Sequence, residues 1–479
     1  MVFASTVFLF FFFPLSLLLY YNPLCKTRRY RNAVLLAASL VFYAWGEPVF
    51  VWLMLLSIVW NHVCGLRIAA CEDHRTRKAW LTAAIGFDLT LMFVFKYLAF
   101  VFENIGLLLG SSSFPSLHIE LPVGISFFTF QIMSSVFDVY YGKVEAQRSV
   151  WQLALYISMF PQLIAGPIVR YGTVVGEIEQ RQETFGDLSR GVTRVVCGLA
   201  KKVLLANYVA LIADNIFSLA GTELAVTTAW LGAVAYSFQI YFDFSGYSDM
   251  AIGMGLMFGF HFEENFNYSF TCDSITDFWR RQHISLSKWF RDYVYIPLGG
   301  SRVSRRRWVL NLFVVWLLTG IWHGANWTFW IWGMYYFALL VFEKLTGFPN
   351  QLTGRLKPLR HVYALILTVV GMVIFRAESL GSTARFIGNM FGIGASGLTD
   401  GVFPSYLASG AWVLLACVVF SMPVLPKLSA LFETGRLSGN ETAVALYDVL
   451  RSLALLALFG ICIAVCAKSA YNPFIYYHF

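Results

Sequence analysis

The chain has 479 residues, of which 58% are hydrophobic and 18% aromatic against 13% charged, whereas an ordinary soluble domain carries about 25% charged and about 45–50% apolar residues. With a mean hydropathy of +0.64, this balance argues against a water-soluble enzyme and excludes a disordered chain. The formal charge of +8 fits basic loops facing anionic headgroups better than nucleic-acid binding, and eight scattered cysteines without a C-x-x-C spacing exclude a disulfide scaffold.

Apolar stretches lie near 4–21, 33–66, 80–102, 121–141, 151–169, 203–220, 226–258, 308–342, 361–375, 410–425 and 447–467. About 20 residues cross the hydrocarbon as a helix, so 33–66 and 308–342 each predict a helical hairpin or a span plus a re-entrant segment. The total is roughly 10 to 13 membrane segments in one all-α integral membrane domain over 1–479. Met1 to Tyr21 lacks the basic n-region and small-residue cleavage site of a signal peptide, which makes it a first span. Lys26, Arg28, Arg29 and Arg31, then Arg67, Arg75, Arg77 and Lys78, place 22–32 and 67–78 on the cytoplasmic side, while 104–120 has no Lys or Arg and belongs outside. The richly basic 259–307 is expected to be cytoplasmic or interfacial.

Three constellations carry polar chemistry inside apolar sequence. In Tyr241 to Gly253, Asp243 and Asp249 flank Ser245 within an apolar run; paired carboxylates there serve either ion coupling or packing, and packing is the favoured reading. The nearby Gly253, Gly255 and Gly259 are read as close helix packing. In Phe278 to Tyr293, Trp279, His283, Leu286 and Phe290 fall at i, i+4, i+7 and i+11, and Arg280, Ser287 and Arg291 gather on another face. This predicts one basic amphipathic helix, either anchoring to headgroups or forming the mouth of a site for an anionic donor.

The third constellation is Gly320-Ile321-Trp322-His323-Gly324-Ala325-Asn326-Trp327. His323 is the titratable group at membrane depth there, and imidazole takes and returns a proton near neutrality without a metal. If the segment is helical, Asn326 shares its face. The alternative is a histidine bonding a neighbouring helix. His62, His74, His118, His261, His361 and His478 fall at span ends or loops, and no zinc spacing, P-loop or nucleophile elbow occurs. No metal site is expected.

Trp322 to Trp327, Phe278 to Gly300 and Asp243 to Gly253, together with Leu121 to Phe127 and Phe160 to Pro167, resemble the membrane-bound O-acyltransferase superfamily, in particular its bacterial alginate O-acetylation branch. The likeness runs from Met1 to about Arg376. It implies a ring of tilted transmembrane helices with re-entrant segments around a central tunnel. It implies a catalytic role for His323, with His283 at the second family-typical polar position. Gln282 departs from the Trp usual in that branch. Along the donor tunnel the resemblance places Trp322, Asn326, Trp279, Arg280, Arg281, Gln282, Ser285, Lys288 and Arg291.

The function so implied is O-acetyl transfer from a cytoplasmic acetyl thioester, acetyl-coenzyme A or a similar donor, toward an exported polysaccharide. No permanent cofactor is expected. The expected partner is an SGNH-type extracytoplasmic transferase, and the expected location is the bacterial inner membrane. The competing reading is a proton-coupled transporter using His323, Asp243 and Asp249, which should show inverted repeats; none is evident.

Overall fold

The computed structural model describes residues 1–110, 117–219, 224–435 and 437–468; His478 and part of the 104–120 loop lie outside the described residues. Every regular element among them is helical. The first half runs α1 (Phe8–Tyr20), α2 (Arg28–Gly46), α3 (Phe50–Ala70), α4 (His74–Leu109), α5 (Ile125–Tyr140), α6 (Val150–Ser158) and α7 (Tyr171–Gln180). Next come α8 (Phe185–Ser218) and α9 (Val226–Met257). Two short helices follow, α10 (Ile275–Arg281) and α11 (Ile284–Phe290), and then α12 (Arg305–His323), α13 (Trp327–Thr346) and α14 (Pro358–Arg376). The remainder is α15 (Leu380–Met390), α16 (Val402–Phe420), α17 (Val424–Glu433) and α18 (Glu441–Lys468). Among the described residues, six helices are long and apolar enough to cross a membrane: α3, α4, α8, α14 counted from its leading turn at Gly354, α16 and α18.

Side-chain caps mark several starts. Thr27 accepts from the Tyr30 amide, Asp73 from Thr76 and Thr184 from Asp187, each satisfying a first-turn N–H that has no helical partner. Thr184 begins α8 well before the apolar stretch at 203–220, so charged residues lead the span in. Both long stretches form helical hairpins, α2 with α3 and α12 with α13. The 151–169 stretch does not form a continuous span: α6 stops at Ser158, a single turn follows at Phe160–Leu163, and the chain then runs on without helix to Arg170. Pro161 denies the helix an interior N–H there.

Close approach of backbones sets the centre. A Cβ on Gly191 would stand 2.6 Å from the Gly253 carbonyl, and one on Gly198 2.6 Å from that of Gly246, so α8 and α9 touch through small residues at two levels. The same device closes the α12–α13 hairpin, where a Cβ on Gly320 would meet the Phe329 carbonyl at 2.5 Å and one on Gly333 the Trp316 carbonyl at 2.4 Å.

Charges sew α8 to α9 as well. Lys202 and Asp243 pair at 2.7 Å with 2% and 3% of their side chains exposed, and Lys201 reaches Asp249 at 2.6 Å while Arg194 reaches it at 2.9 Å. Lys201 and Lys202 are consecutive, and a π-helical segment at Lys201–Ala206 lets both address α9. At one end of the molecule, Arg28 and Arg31 each bond Glu183 at 2.5 Å, Arg181 bonds the Phe258 carbonyl, and Arg170 pairs with Glu263 and Asp292. The start of α2 is thereby tied to the loop before α8, and that loop to the end of α9, and Arg170 ties the loop before α7 to Glu263 and Asp292.

Candidate active site

His323 is the last residue of α12 and stands at the tip of the α12–α13 hairpin. Gly324 follows because a Cβ there would lie 2.4 Å from the Phe329 ring. His323 is 4% exposed, with its ring centroid 5.0 Å from Trp322, 4.9 Å from Trp332 of α13 and 5.2 Å from Phe375 of α14. Among the described residues, its Nδ1 has no hydrogen-bond partner. A buried histidine that merely fastens helices is ordinarily hydrogen-bonded, and the orphaned nitrogen leaves the ring able to take a proton from a bound group. Trp279 joins the same aromatic wall, 5.5 Å from Trp332 and 4.9 Å from both Trp316 and Tyr336.

The segment expected as one amphipathic helix is broken. Gln282 is extended, and His283 has φ of +46°, a left-handed conformation uncommon outside glycine, between α10 and α11. Trp279 and His283 consequently do not share a helical face. Asn265 holds the break: its carbonyl accepts from the Ile284 amide at 2.9 Å, and its Oδ1 accepts from the Ser285 amide at 3.2 Å and the Ser285 hydroxyl at 2.8 Å. His283 packs edge-on against Phe244 of α9 at 4.6 Å and lies 6.0 Å from the Trp322 indole. The indole thus contacts both imidazoles. Ser285 also accepts from the Ile168 amide, tying in the loop after Pro167.

Asn326 does not face His323. The helix ends before it, so the i, i+3 relation fails; its side chain caps α13 by accepting from the Thr328 amide and donates to the Glu378 carbonyl. Gln282 is buried with Oε1 unpartnered. Of the basic residues, Arg281 pairs with Asp277 at 2.9 Å, Lys288 with Glu263 at 3.0 Å and Arg291 with Asp292 at 2.7 Å. Arg280 is exposed and has no ion-pair partner among the described residues. Asp243 and Asp249 are engaged by lysine and arginine of α8, and Ser245 is buried beside them.

Three contributors escaped the sequence reading. Trp332 and Phe375 wall the histidine from separate helices, a relationship no spacing within one segment reveals. Lys96 is buried in α4 and donates to the Trp322 carbonyl at 2.6 Å; a lone cation within an apolar run was the signal available. The third is a cavity of 420 Å³ lined by Asp214, Phe217, Arg376, Glu378, Arg385 and Phe386, among others, beginning one residue beyond Phe375. Among the described residues, no group of three His, Cys, Asp or Glu side chains is placed to hold a metal ion.

Comparison with known proteins identifies the family. The model of the membrane-bound O-acyltransferase family matches residues 145–376, which include both histidines. The chain is 41% identical to the probable alginate O-acetylase AlgI of Azotobacter vinelandii over the whole of both chains, past the Arg376 limit of the likeness seen in the motifs. It is 45% identical to that of Pseudomonas aeruginosa, covering 84% of this chain and 76% of the relative. Identity to the peptidoglycan O-acetyltransferase of Helicobacter pylori is 33%, over 82% and 80% of the two chains. A polytopic helical chain so related along its length belongs to the membrane-bound O-acyltransferase family and is an acyltransferase.

Proposed function

We propose that this acyltransferase moves acetyl groups from a cytoplasmic acetyl thioester, with acetyl-coenzyme A the donor that fits, across the bacterial inner membrane for O-acetylation of an exported polysaccharide of the alginate type. The full-length identity to an alginate O-acetylase supports the acceptor class. The observation that carries the chemistry is the buried, unpartnered Nδ1 of His323 between Trp322, Trp332 and Phe375.

In this reading His323 takes the proton of an acceptor hydroxyl as its oxygen attacks the thioester carbonyl. The tetrahedral adduct expels the thiolate, which recovers that proton from the imidazolium, so an ester and a free thiol form with no other reactant. Burial among indoles excludes water that would hydrolyse the donor. The reaction needs mainly positioning and one base. His283 lies across the Trp322 indole as a second polar group of the same passage. An SGNH-type extracytoplasmic transferase is the partner proposed to complete delivery. Arg280, exposed and free of ion pairs among the described residues, is the basic residue best available to donor phosphates; its neighbours Arg281, Lys288 and Arg291 are engaged. The cavity beyond Phe375 is the proposed acceptor-side approach.

Transport is the weaker reading, because Asp243 and Asp249 each have cationic partners on α8. Sealed membrane vesicles of either orientation, supplied with acetyl-labelled acetyl-coenzyme A on the outside, test the direction. Label should be transferred when the cytoplasmic face is exposed and not when it is enclosed; equal transfer in both orientations contradicts the proposal.

A further inference from the structure

Between Asp88 and Glu103 of α4 the sequence holds a single charged residue, Lys96. A π-helical segment at Phe93–Tyr97 widens the helix there, and the Leu98 amide reaches back to the Phe93 carbonyl. Such bulges redirect consecutive side chains toward one neighbour. The neighbour here is the end of α12. The Lys96 ammonium donates to the Trp322 carbonyl at 2.6 Å and to the Ser126 hydroxyl at 3.0 Å, and the Tyr97 hydroxyl donates to the Ile321 carbonyl at 2.7 Å. The Trp322 indole N–H in turn donates to the Ser126 carbonyl at 3.3 Å. Lys96, Ser126 and Trp322 therefore close a ring of hydrogen bonds that grips Trp322 by both its backbone and its side chain.

The carbonyls of Ile321 and Trp322 belong to the last turn of α12, where the regular i to i+4 ladder has run out; the Gly324 amide closes back on the Ile321 carbonyl at 3.1 Å, and Tyr97 and Lys96 supply side-chain donors to the two carbonyls. They form the negative end of the helix dipole, a place where a cation is favoured. Lys96 is 9% exposed, and its recorded partners are this helix end, a hydroxyl and the Trp322 ring. A cation at membrane depth is costly, and a methionine or leucine would pack two helices together at lower cost. What a lysine and a tyrosine add is a fixed position for the residue after Trp322, which is His323.

We infer that Lys96 and Tyr97 are positioning residues for His323, clamping the last two carbonyls before it so that its imidazole is held in register with the reacting groups. This rests on the reading of His323 as the base. A displacement of about 1 Å at a reacting group costs about 100-fold in rate, and that loss falls on the chemical step rather than on donor binding.

The test uses membranes from cells carrying the full chain and their own acceptor, supplied with labelled acetyl-coenzyme A over a range of concentrations, at matched protein levels. Lys96→Met is expected to lower the maximal rate about 100-fold with the half-saturating donor concentration changed by less than about twofold. Lys96→Arg, which restores a cationic donor, should recover a rate within about tenfold of the native chain. Transfer by Lys96→Met within about threefold of native, or a loss expressed only as a raised half-saturating concentration, overturns the inference. If Lys96→Met fails to accumulate, Tyr97→Phe decides, since it lacks only one hydroxyl. A rate loss of about fivefold or more at normal protein level supports the clamp, and an unchanged rate rejects it. His323→Ala in the same membranes separates the two ideas: retained transfer there removes the site itself, whereas its loss beside an active Lys96→Met removes the clamp alone.

Discussion

His283 Nδ1 stands 3.3 Å from Asn265 Oδ1, and this relationship decides which ring nitrogen is free. The Ser285 amide is always a donor, so the Asn265 atom it reaches must be the oxygen. An oxygen facing Nδ1 requires the proton on Nδ1, which leaves Nε2 as the acceptor, and Nε2 is buried without a partner among the described residues. Asn265→Leu is expected to lower acetyl transfer about tenfold, and it also leaves the buried Ser285 N–H unpaired at a cost of about 1–3 kcal/mol. Asn265→Asp keeps an acceptor and should retain more transfer than the leucine variant. His283→Ala should weaken transfer without abolishing it. Rates at matched membrane levels check all three; equal rates for the leucine and aspartate variants would contradict the assignment.

The buried pair of Lys202 and Asp243 predicts a stability effect rather than a direct effect on transfer. Asp243→Asn strands a lysine that is almost fully buried, and breaking such a pair costs about 3–5 kcal/mol. Membrane yield should fall sharply, and adding Lys202→Met should restore it. Asp249→Asn should do less, because Lys201 and Arg194 are more exposed and Arg194 also pairs with Glu264. Yield and thermal unfolding in detergent measure the difference.

Gly320 predicts coupling between packing and activity. Gly320→Ala places a Cβ 2.5 Å from the Phe329 carbonyl, and overpacking of this kind costs about 1–3 kcal/mol. The hairpin must splay, and His323 sits at its tip. The variant should accumulate less and transfer more slowly per molecule, whereas Gly460→Ala in α18, where nothing lies within 4 Å, should do neither.

Glu183, in the loop between α7 and α8, predicts a pH dependence of stability. Burial alone raises its pKa, but hydrogen bonds from Arg28 and Tyr20 and the charges of Arg28 and Arg31 outweigh that, moving it from 4.5 down to about 2. A carboxylate depressed on folding contributes stability above its unfolded value, and that contribution is lost as pH falls through the folded value. The native chain should therefore lose thermal stability between about pH 4.5 and pH 2, and Glu183→Gln should flatten the curve in that window while lowering stability at neutral pH.

Much of the architecture was legible in local chemistry. The stretches at 33–66 and 308–342 are too long for one span and prove to be hairpins, one of the two forms their length allows, and Gly253 announces close packing that proves to be against Gly191. His323 stands out because an imidazole is rare at that depth. What failed depended on partners distant in sequence. The helical periodicity from Trp279 to Phe290 is real, yet Asn265 bonds the chain into a left-handed turn at His283 that periodicity does not register. Asn326 shares a face with His323 only if the helix continues, and Gly324 ends it against the Phe329 ring. Arg280, Arg281, Lys288 and Arg291 read as a basic mouth for an anionic donor, but Asp277, Glu263 and Asp292 engage the last three of them.

The central claim is that His323 carries out acetyl transfer, and the most direct measurement is acetate released by base from the purified surface polysaccharide of a strain lacking this chain, complemented with either the native chain or His323→Ala at equal membrane levels. The native chain should restore the acetate and the alanine variant should leave it at the level of the uncomplemented strain. Restoration by both would show that His323 is not the catalytic residue.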